Sequence, residues 1–493
     1  MKKFLLSFVI VNILVLFLVS CKKTYTIRYL DYDDTLIKEE KVEDISSINK
    51  PTPKREGYVF LGFDDDLVEN KDIETKARYT KEEEKEIDTT LFTCMDLPNR
   101  NKSIKQLYKK SLLLKDSREF DMDLAKLSFA LSYSNYSVSK ATDFFNELGF
   151  DNLYFNDFDN NSASSVKFVL AHKKLDDTNL ISISSPGYDY NSEWANNFTI
   201  GDEGNHFGYT ICVTNMIDKI IRYIASSYSD SNIRLWITGY SRGGGISNLL
   251  ADTIMKEKYF GLKQSEIYTY TFEAPAPIIE ENYVEYKNVF NIINSYDLVP
   301  NILNKYNFKR CGIDIDIYND NYQNWLKKMD SNFPLGSFTV SNNYKNFKQF
   351  GNALFNCLYQ KTANYSLQTR KDYYNKFEKS LSYLLENLCY DMSEFISYVP
   401  EYFRGVMDSV EDDYTKLLDV DKIYSIIKDI CDHVGSSYDE KKLYDSTEVL
   451  YGVLQERSLN FAISILPSIS NLSLAFELHS IETIYLMLQN YSI

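Results

Sequence analysis

The chain has 493 residues, which is long enough for two or three domains and a large hydrophobic core. Its hydrophobic fraction of 44% and charged fraction of 25% are those of an ordinary globular protein. The formal net charge of −16 offers no basic surface for phosphates, so we expect no nucleic-acid partner. The acidity is typical of a soluble, self-repelling surface.

The N-terminus carries a targeting signal, in which "MKK" precedes the apolar run "FLLSFVIVNILVLFLVS". From Phe4 to Val19 the run is 16 residues long, which is short for a membrane span. "LVSC" resembles the bacterial lipoprotein signal, which implies a signal peptide over residues 1–20, cleavage before Cys21 and lipidation of its sulfur. An uncleaved membrane anchor is the alternative. Both interpretations predict an extracytoplasmic, membrane-attached protein.

The remaining cysteines are widely spread and contain no CxxC pair, so neither a zinc site nor a dense disulfide framework is indicated. One or two disulfides and buried free thiols are both compatible with this pattern. These cysteines are Cys94, Cys212, Cys311, Cys357, Cys389 and Cys431.

Residues 24–80 predict a small β-rich module, because "TYTIRYLDYDDTLIKEEKV" alternates and turns like a hairpin. "REGYVFLGFDDD" and "IETKARYT" resemble the Listeria–Bacteroides repeat of bacterial surface proteins. A single copy implies a spacer or a binding module of unidentified ligand. The charged stretch "KEEEKEID" then predicts a solvated linker or helix start, so residues 81–119 are interpreted as a linker and helical lead-in.

Strand and helix patterns alternate after residue 120. Two helical patterns span 120–150, a long helix follows in "YTICVTNMIDKIIRYIASSYSD", and another in "GISNLLADTIMKEKY". The predicted strands are "SSVKFVLAHKKL", "NLISISSPG", "IRLWITGY", "EIYTYTFEAP" and "NVFNIINSYDLVP". This alternation predicts an α/β fold with a mostly parallel sheet over residues 120–493. A predominantly helical insertion at about 340–460 is either a cap over a site or additional packing.

The stretch "ITGYSRGGGISN", Ile237 to Asn248, lies between a predicted strand and a predicted helix. It contains G-x-S-x-G, the nucleophile elbow, with Ser241 between Gly239 and Gly243. A serine there is strained, and side chains at the two glycines would collide with the neighbouring strand and helix. A phosphate-loop interpretation fails, because neither G-x-x-x-x-G-K-[ST] nor G-x-G-x-x-G occurs at this turn. Ser241 is therefore the candidate nucleophile.

The base of such a site is a histidine that follows the serine, and the chain has four histidines. His172 lies in a strand-like run and His206 opens a helix, and both precede the elbow. His433 lies at a predicted helix end, where a partly exposed cation is the ordinary interpretation. We favour His479, which follows an apolar segment just before a C-terminal helix.

The acid belongs after a strand between the serine and the histidine. Asp297 in "NVFNIINSYDLVP" has that position, and its alternative interpretation is a loop aspartate capping a turn before Pro300. Glu273 in "TYTFEAPAP" also follows a strand and competes with it. Asp252, on the helix after the elbow, is expected to face solvent.

From about residue 121 onward the chain resembles a bacterial class 3 lipase-like α/β hydrolase. The resemblance rests on "WITGYSRGGGISNLLAD", "IYTYTFEAPAP", "YKNVFNIINSYDLVPNI" and "HSIETIYLML". "ISSPGYDYNSEWANNF" and "NHFGY" resemble the oxyanion-loop and His-x-Gly-Phe segments of that family. The resemblance implies Ser241 as nucleophile, Asp297 as acid and His479 as base. It also implies oxyanion donors in the backbone N–H groups of Arg242 and Tyr188.

The sequence departs from the family pattern at three positions. Pro186 stands where the family usually has Arg, and Tyr188 where it has Ser or Thr. Glu273 replaces a small residue that usually follows the family's T-F, which adds a carboxylate near the predicted site.

The resemblance implies a membrane-anchored hydrolase of lipid or other acyl esters that needs no metal or cofactor. One alternative is a hydrolase-fold surface binding protein with weak or no activity, which the altered oxyanion loop would favour. A second is a thioesterase or peptidase, because the elbow does not encode the leaving group.

Overall fold

The computed structural model describes residues 24–43, 48–64, 71–91, 102–158, 166–187, 197, 204–228, 232–301, 303, 307–318, 366–388, 390–410, 416, 419–455 and 478–491. The predicted signal peptide, Cys21 and Tyr188 lie outside the described residues. The chain divides into two compact units, Met1–Glu84 with Lys109–Lys115 and Lys85–Tyr108 with Asp116–Ile493.

The first unit contains a four-stranded sheet in the order β2-β1-β4-β3. The strands are β1 (Tyr25–Leu30), β2 (Leu36–Val42), β3 (Tyr58–Phe63) and β4 (Ile73–Lys81). β1 and β4 are parallel, and the other two pairs are antiparallel. Alternate side chains point to one face and form a small core of Ile27, Tyr29, Phe63, Ile73 and Ala77.

The next segment is β-structure, which corrects the interpretation of residues 81–119 as a linker and helical lead-in. β5 (Glu84–Leu91) pairs with β6 (Lys102–Lys109), and only a short 3-10 turn, Lys110–Leu113, follows. In β5 the charged residues alternate with Ile87, Thr89 and Leu91, which are buried. The charges therefore occupy the exposed face of a strand, a period of two that a run of charged residues conceals.

The second unit is built on a seven-stranded sheet in the order β15-β13-β11-β10-β9-β8-β7. Its strands are β7 (Asp151–Asn156), β8 (Phe168–Leu175), β9 (Thr178–Ser185), β10 (Asn232–Tyr240), β11 (Ile267–Phe272), β13 (Val289–Ile293) and β15 (Ile313–Asp316). A short antiparallel pair is formed by β12 (Ile278–Ile279) and β14 (Phe308–Lys309). Within the seven-stranded sheet, the strands β9, β10, β11, β13 and β15 pair in parallel, while β7 pairs with β8 and β8 with β9 in antiparallel fashion. The predicted α/β fold with a mostly parallel sheet is confirmed.

Helices cover both faces of this sheet, as the alternation of patterns predicts. The first four helices are α1 (Met122–Ser134), α2 (Val138–Glu147), α3 (Phe207–Ser227) and α4 (Arg242–Lys256). Leu235 and Ile237 of β10 pack into one core with α3 and α4. Trp236 points to the opposite face, where its indole N–H donates to the Ser128 hydroxyl of α1 at 2.9 Å. The central strand is thus buried on both faces, which its apolar sequence predicts.

The described part of the 340–460 segment is helical, as predicted. It contains α5 (Leu367–Leu388), α6 (Met392–Ser409), α7 (Val420–His433) and α8 (Glu440–Gln455). These helices have small apolar cores of their own, one around Phe395, Val399 and Ile430. The C-terminal helix α9 (Ile481–Asn490) instead packs against α1.

None of the described helices has the length and apolar character needed to cross a membrane. The cysteines within the described residues, Cys212, Cys311 and Cys431, are buried free thiols.

Candidate active site

Ser241 occupies the turn between β10 and α4 with a strained backbone. Its φ is 53° and its ψ is −124°, a combination that non-glycine residues rarely adopt. Its N–H donates to the Phe272 carbonyl at 2.8 Å, and its carbonyl accepts from the Gly245 N–H at 3.0 Å. The next strand and the first turn of the helix therefore hold the serine in this conformation.

The two glycines of the motif allow backbone segments to cross at close range. A Cβ atom on Gly239 would lie 2.3 Å from the Gly243 carbonyl oxygen. A Cβ atom on Gly243 would lie 2.1 Å from the Pro186 carbonyl oxygen, at the end of β9. Both distances are far below van der Waals contact, so neither position has space for a larger residue.

The His479 imidazole lies between the serine and an aspartate. Its Nε2 is 2.7 Å from the Ser241 Oγ, and its Nδ1 is hydrogen-bonded to Asp297 Oδ2. The segment before α9 that carries His479 is fixed by two contacts to its backbone. The Asn294 side-chain amide donates to the Leu478 carbonyl at 3.2 Å, and the Tyr240 hydroxyl donates to the His479 carbonyl.

Asp297 is fully buried in the loop after β13. Its N–H donates to the Asn294 carbonyl at 2.9 Å, and its Oδ1 accepts from the Val299 N–H at 2.9 Å. Because Oδ1 is held by the loop, Oδ2 is directed at His479. The structure thus brings the three predicted residues Ser241, His479 and Asp297 into one hydrogen-bonded row.

Glu273, the competing acid, lies behind Asp297 and does not take its place. It is fully buried directly after β11, with φ at 47°, and the Asn294 N–H donates to its two oxygens at 2.9 and 3.1 Å. Burial raises the pKa of Glu273 well above its usual range, and the charge of Asp297 and a hydrogen bond to it raise it further. Opposing contributions come from the Asn294 N–H and from Arg310.

Three side chains at this site also have the composition of a cation site. One ligand atom each from Glu273, Asp297 and His479 lies within 4.8 Å of the others. His479 is already hydrogen-bonded to Asp297 through Nδ1 and to Ser241 through Nε2. A cation would have to break the bond between His479 and Asp297 in order to bind both.

The remaining histidines have partners of their own. His172 on β8 contacts Asn179 Oδ1 through Nε2 at 2.9 Å, and His433 at the end of α7 stacks on Tyr398 with 3.5 Å between ring centroids. His206 is fully buried and accepts from the Tyr209 N–H as the N-cap of α3. Burial lowers the pKa of His206 to about 4.

Asp252 does not face solvent, so that expectation is wrong. It is 1% exposed and forms an ion pair with Lys256 at 3.0 Å. Burial raises its pKa, and Lys256 acts against that shift. Tyr286, a buried residue from the segment before β13, lies beside Asp252 on this side of α4 and is a neighbour that local periodicity does not reveal.

One of the two predicted oxyanion donors lies within the described residues. Arg242 is the first residue of α4, where backbone N–H groups have no partner within the helix and the positive end of the helix dipole is located. Tyr188 lies outside the described residues, so its role stays a prediction. Gly187, which precedes it, passes beside the elbow, since a Cβ atom there would lie 3.1 Å from the Tyr240 carbonyl oxygen.

Sequence reasoning missed Tyr240 and Asn294. Tyr240 was only the variable second position of the motif, and its contact with His479 spans 239 residues. Asn294 lies three residues before Asp297, yet it bonds both Glu273 and the chain before His479. Only the position of Asn294 at the end of a strand near the acid could have drawn attention to it.

The sheet order, with the strained serine turn between its central strand and the following helix, defines an α/β-hydrolase fold. The chain has a class 3 lipase-like fold, since the family model described as Lipase (class 3) matches residues 154–307. No curated protein matches the chain.

Several solved structures are similar to two fifths of the chain. The triacylglyceride lipase of Rhizomucor miehei is 16% identical, with 40% of this chain and 80% of that chain covered and a TM-score of 0.29. The lipase of Rhizopus microsporus var. chinensis is 12% identical, with coverages of 41% and 77% and a TM-score of 0.31. The mono- and diacylglycerol lipase of Aspergillus oryzae is 14% identical, with coverages of 41% and 81% and a TM-score of 0.31.

Proposed function

We propose that the protein is a serine hydrolase that cleaves carboxylic esters of lipids or other acyl groups. The observation that carries this proposal is the position of His479, within 2.7 Å of the Ser241 Oγ and hydrogen-bonded to the buried Asp297. The strained backbone of Ser241 and the lipase family match over residues 154–307 support it independently.

Acylation begins when His479 Nε2 accepts the Ser241 proton while Oγ attacks the ester carbonyl carbon. Asp297 keeps the second imidazole proton on Nδ1 and stabilises the imidazolium that forms. The imidazolium then donates its Nε2 proton to the leaving alkoxide oxygen, so the alcohol departs and the acyl group stays on the serine. Water activated by the same histidine releases the acid and regenerates Ser241.

The tetrahedral oxyanion is held by backbone N–H groups in this proposal. Arg242 supplies one from the N-terminus of α4, and Tyr188 supplies the second. Loss of one such donor typically costs about 10²–10³ in rate. Apart from the attacking water, the cycle uses side chains and backbone groups of the protein and needs no metal or cofactor.

The location proposed for this activity is the outer side of a membrane. Lipidated Cys21 would anchor the chain, and two or three acyl chains would make that anchoring stable. In this arrangement residues 24–80 act as a spacer or binding module between the anchor and the hydrolase, residues 120–493. Lipid esters would then be presented to Ser241 at the surface to which the protein is attached.

The test compares the detergent-solubilised full-length protein with Ser241→Ala. We expect a fluorophosphonate probe to label the parent and not the variant, and only the parent to hydrolyse short- or long-chain acyl esters. Ser226→Ala, an exposed change on α3, is the matched control and should behave as the parent. A folded parent that neither labels nor hydrolyses any ester would favour the binding-protein alternative, and turnover of thioesters or peptides alone would change the substrate class.

A further inference from the structure

Two fully buried carboxyl groups lie next to each other at the end of the row. Glu273 and Asp297 both have 0% exposure, and a carboxylate oxygen of one lies within 4.8 Å of a carboxylate oxygen of the other. Two carboxylates this close together and away from water strongly disfavour a negative charge on both. The pair therefore retains one proton.

The other hydrogen bonds of the pair indicate which residue carries the proton. Asp297 accepts from the Val299 N–H through Oδ1 and bonds His479 through Oδ2, as an anion does. Within the described residues, the Glu273 carboxyl accepts from the Asn294 N–H and lies beside the Asp297 carboxylate, which is an acceptor. An O–H on Glu273 satisfies this geometry and an O–H on Asp297 does not.

The charged groups that the described residues place around the pair are already engaged. His479 is committed to Asp297 and Ser241. The Arg310 guanidinium donates to the carbonyls of Ala274 and Pro300 at 3.0 and 2.5 Å and pairs with Asp314. Arg310 weakens the rise in the pKa of Glu273, but burial and Asp297 outweigh it.

The position of Glu273 is unfavourable in two respects. Its φ of 47° lies in the left-handed region that favours glycine, and its carboxyl group is removed from water. Strained residues with buried polar groups concentrate at functional sites, where the surrounding structure holds them. A glutamate here needs a reason beyond packing.

We propose that Glu273 is a positioning residue that keeps a proton and donates it in a hydrogen bond to Asp297, holding Asp297 as an anion against His479 Nδ1. The catalytic consequence rests on the proposed ester hydrolysis, whereas the shared proton does not. The bond disperses the Asp297 charge and opposes its protonation. It thereby sets the pH at which the row loses activity on the acid side.

Two substitutions separate the hydrogen bond from packing. Glu273→Gln keeps a neutral group whose amide can donate to Asp297 and whose oxygen can accept from Asn294. Glu273→Met keeps a similar length and removes the donor. With active sites counted by fluorophosphonate labelling, we expect Glu273→Gln to stay within about 3-fold of the parent in kcat/KM. For Glu273→Met we expect a loss of roughly 10- to 100-fold, the range for a hydrogen bond to a charged group.

The pH dependence of kcat/KM distinguishes the proposed role from a purely structural one, because a purely structural role would leave it unchanged. Without the donor, the negative charge of Asp297 is no longer dispersed by a hydrogen bond. The acid limb of kcat/KM in Glu273→Met should therefore move up by about one pH unit, while that of Glu273→Gln should match the parent. Two results would overturn the proposal. One is an acid limb of kcat/KM in Glu273→Met that matches the parent. The other is an equal loss of kcat/KM, per labelled active site, in Glu273→Met and Glu273→Gln.

Infrared spectroscopy tests the proton without any turnover. At neutral pH the full-length protein should show the carbonyl band of a protonated carboxyl group, and Glu273→Gln should lack it. Asp252 is also buried with a raised pKa, so Asp252→Asn serves as the control that leaves the Glu273 band in place. If the band is present but esters are not cleaved, the proposed function fails and the shared proton stands. If the band does not depend on Glu273, or if adding a divalent cation abolishes the band by displacing the proton, the inference is wrong.

Discussion

The Tyr240 hydroxyl donates a hydrogen bond to the backbone carbonyl of His479, and their rings stack with centroids 5.3 Å apart and planes 25° from parallel. Tyr240 directly precedes Ser241 in the elbow. The strand that positions the serine therefore also positions the histidine. This contact ties the position of the His479 backbone to the strand that leads into Ser241.

The hydroxyl of Tyr240 is therefore expected to contribute to activity. Tyr240→Phe removes it while keeping the ring, and leaves the His479 carbonyl without that donor. We expect kcat to fall roughly 5- to 30-fold with a small change in KM, since a lost hydrogen bond is worth about 1–2 kcal/mol. Kinetics of ester hydrolysis check this. Tyr133→Phe is the matched control, because its buried hydroxyl bonds Thr89 at 2.8 Å. That variant should lower Tm without lowering kcat.

The roles of the two acids are separable by amide substitution. Asp297→Asn presents an N–H to His479 and favours the wrong imidazole tautomer, so we expect kcat/KM to fall by a factor on the order of 10⁴. Glu273→Gln should cost little. Both variants are assayed on one ester over a range of pH. The opposite order of losses would assign the acid to Glu273.

Glu273 should also make folding stability depend on pH. Its folded-state pKa is raised, so above about pH 4.5 the unfolded chain releases a proton that the folded chain keeps. The contribution of Glu273 to the free energy of unfolding is fully present below that pH. It decreases as pH rises towards the folded-state pKa, by about 1.4 kcal/mol per pH unit at most. Chemical denaturation of the parent and Glu273→Gln at pH 5 to 8 measures it. The free energy of unfolding of Glu273→Gln should increase relative to that of the parent as pH rises. A difference between the two that does not change with pH would contradict the prediction.

His206 should have the opposite dependence. Its pKa is lowered from 6.5 to about 4 by burial, so the unfolded chain binds a proton below pH 6.5 that the folded chain does not. The stability from this group is present above pH 6.5 and is lost as pH falls, by on the order of 3 kcal/mol at pH 4. His206→Asn keeps an N-cap acceptor and does not titrate. Its midpoint of urea unfolding should fall less than that of the parent between pH 7 and 5, and parallel curves would refute the prediction.

Local sequence determined the parts of this protein that depend on neighbouring residues. The apolar run of β10, the glycines at 239 and 243 and the helical period after them predict a strained serine between a strand and a helix. The α/β alternation follows from the same periodicities. Local pattern failed in β5, where alternating charges resemble a solvated segment, and at Asp252, whose cover comes from a distant part of the chain.

Tertiary structure decided everything that depends on distance between remote segments. Asp297 and Glu273 both follow strands, and sequence could not tell which would face the histidine. The register of β11 and β13 puts Asp297 against His479 and Glu273 behind it, joined through Asn294. Elimination among four histidines favoured His479, but its hydrogen bond to Ser241 spans 238 residues. Such contacts arise because α9 packs against α1, which itself packs on β10, and burial and hydrogen bonding there do not depend on proximity along the chain.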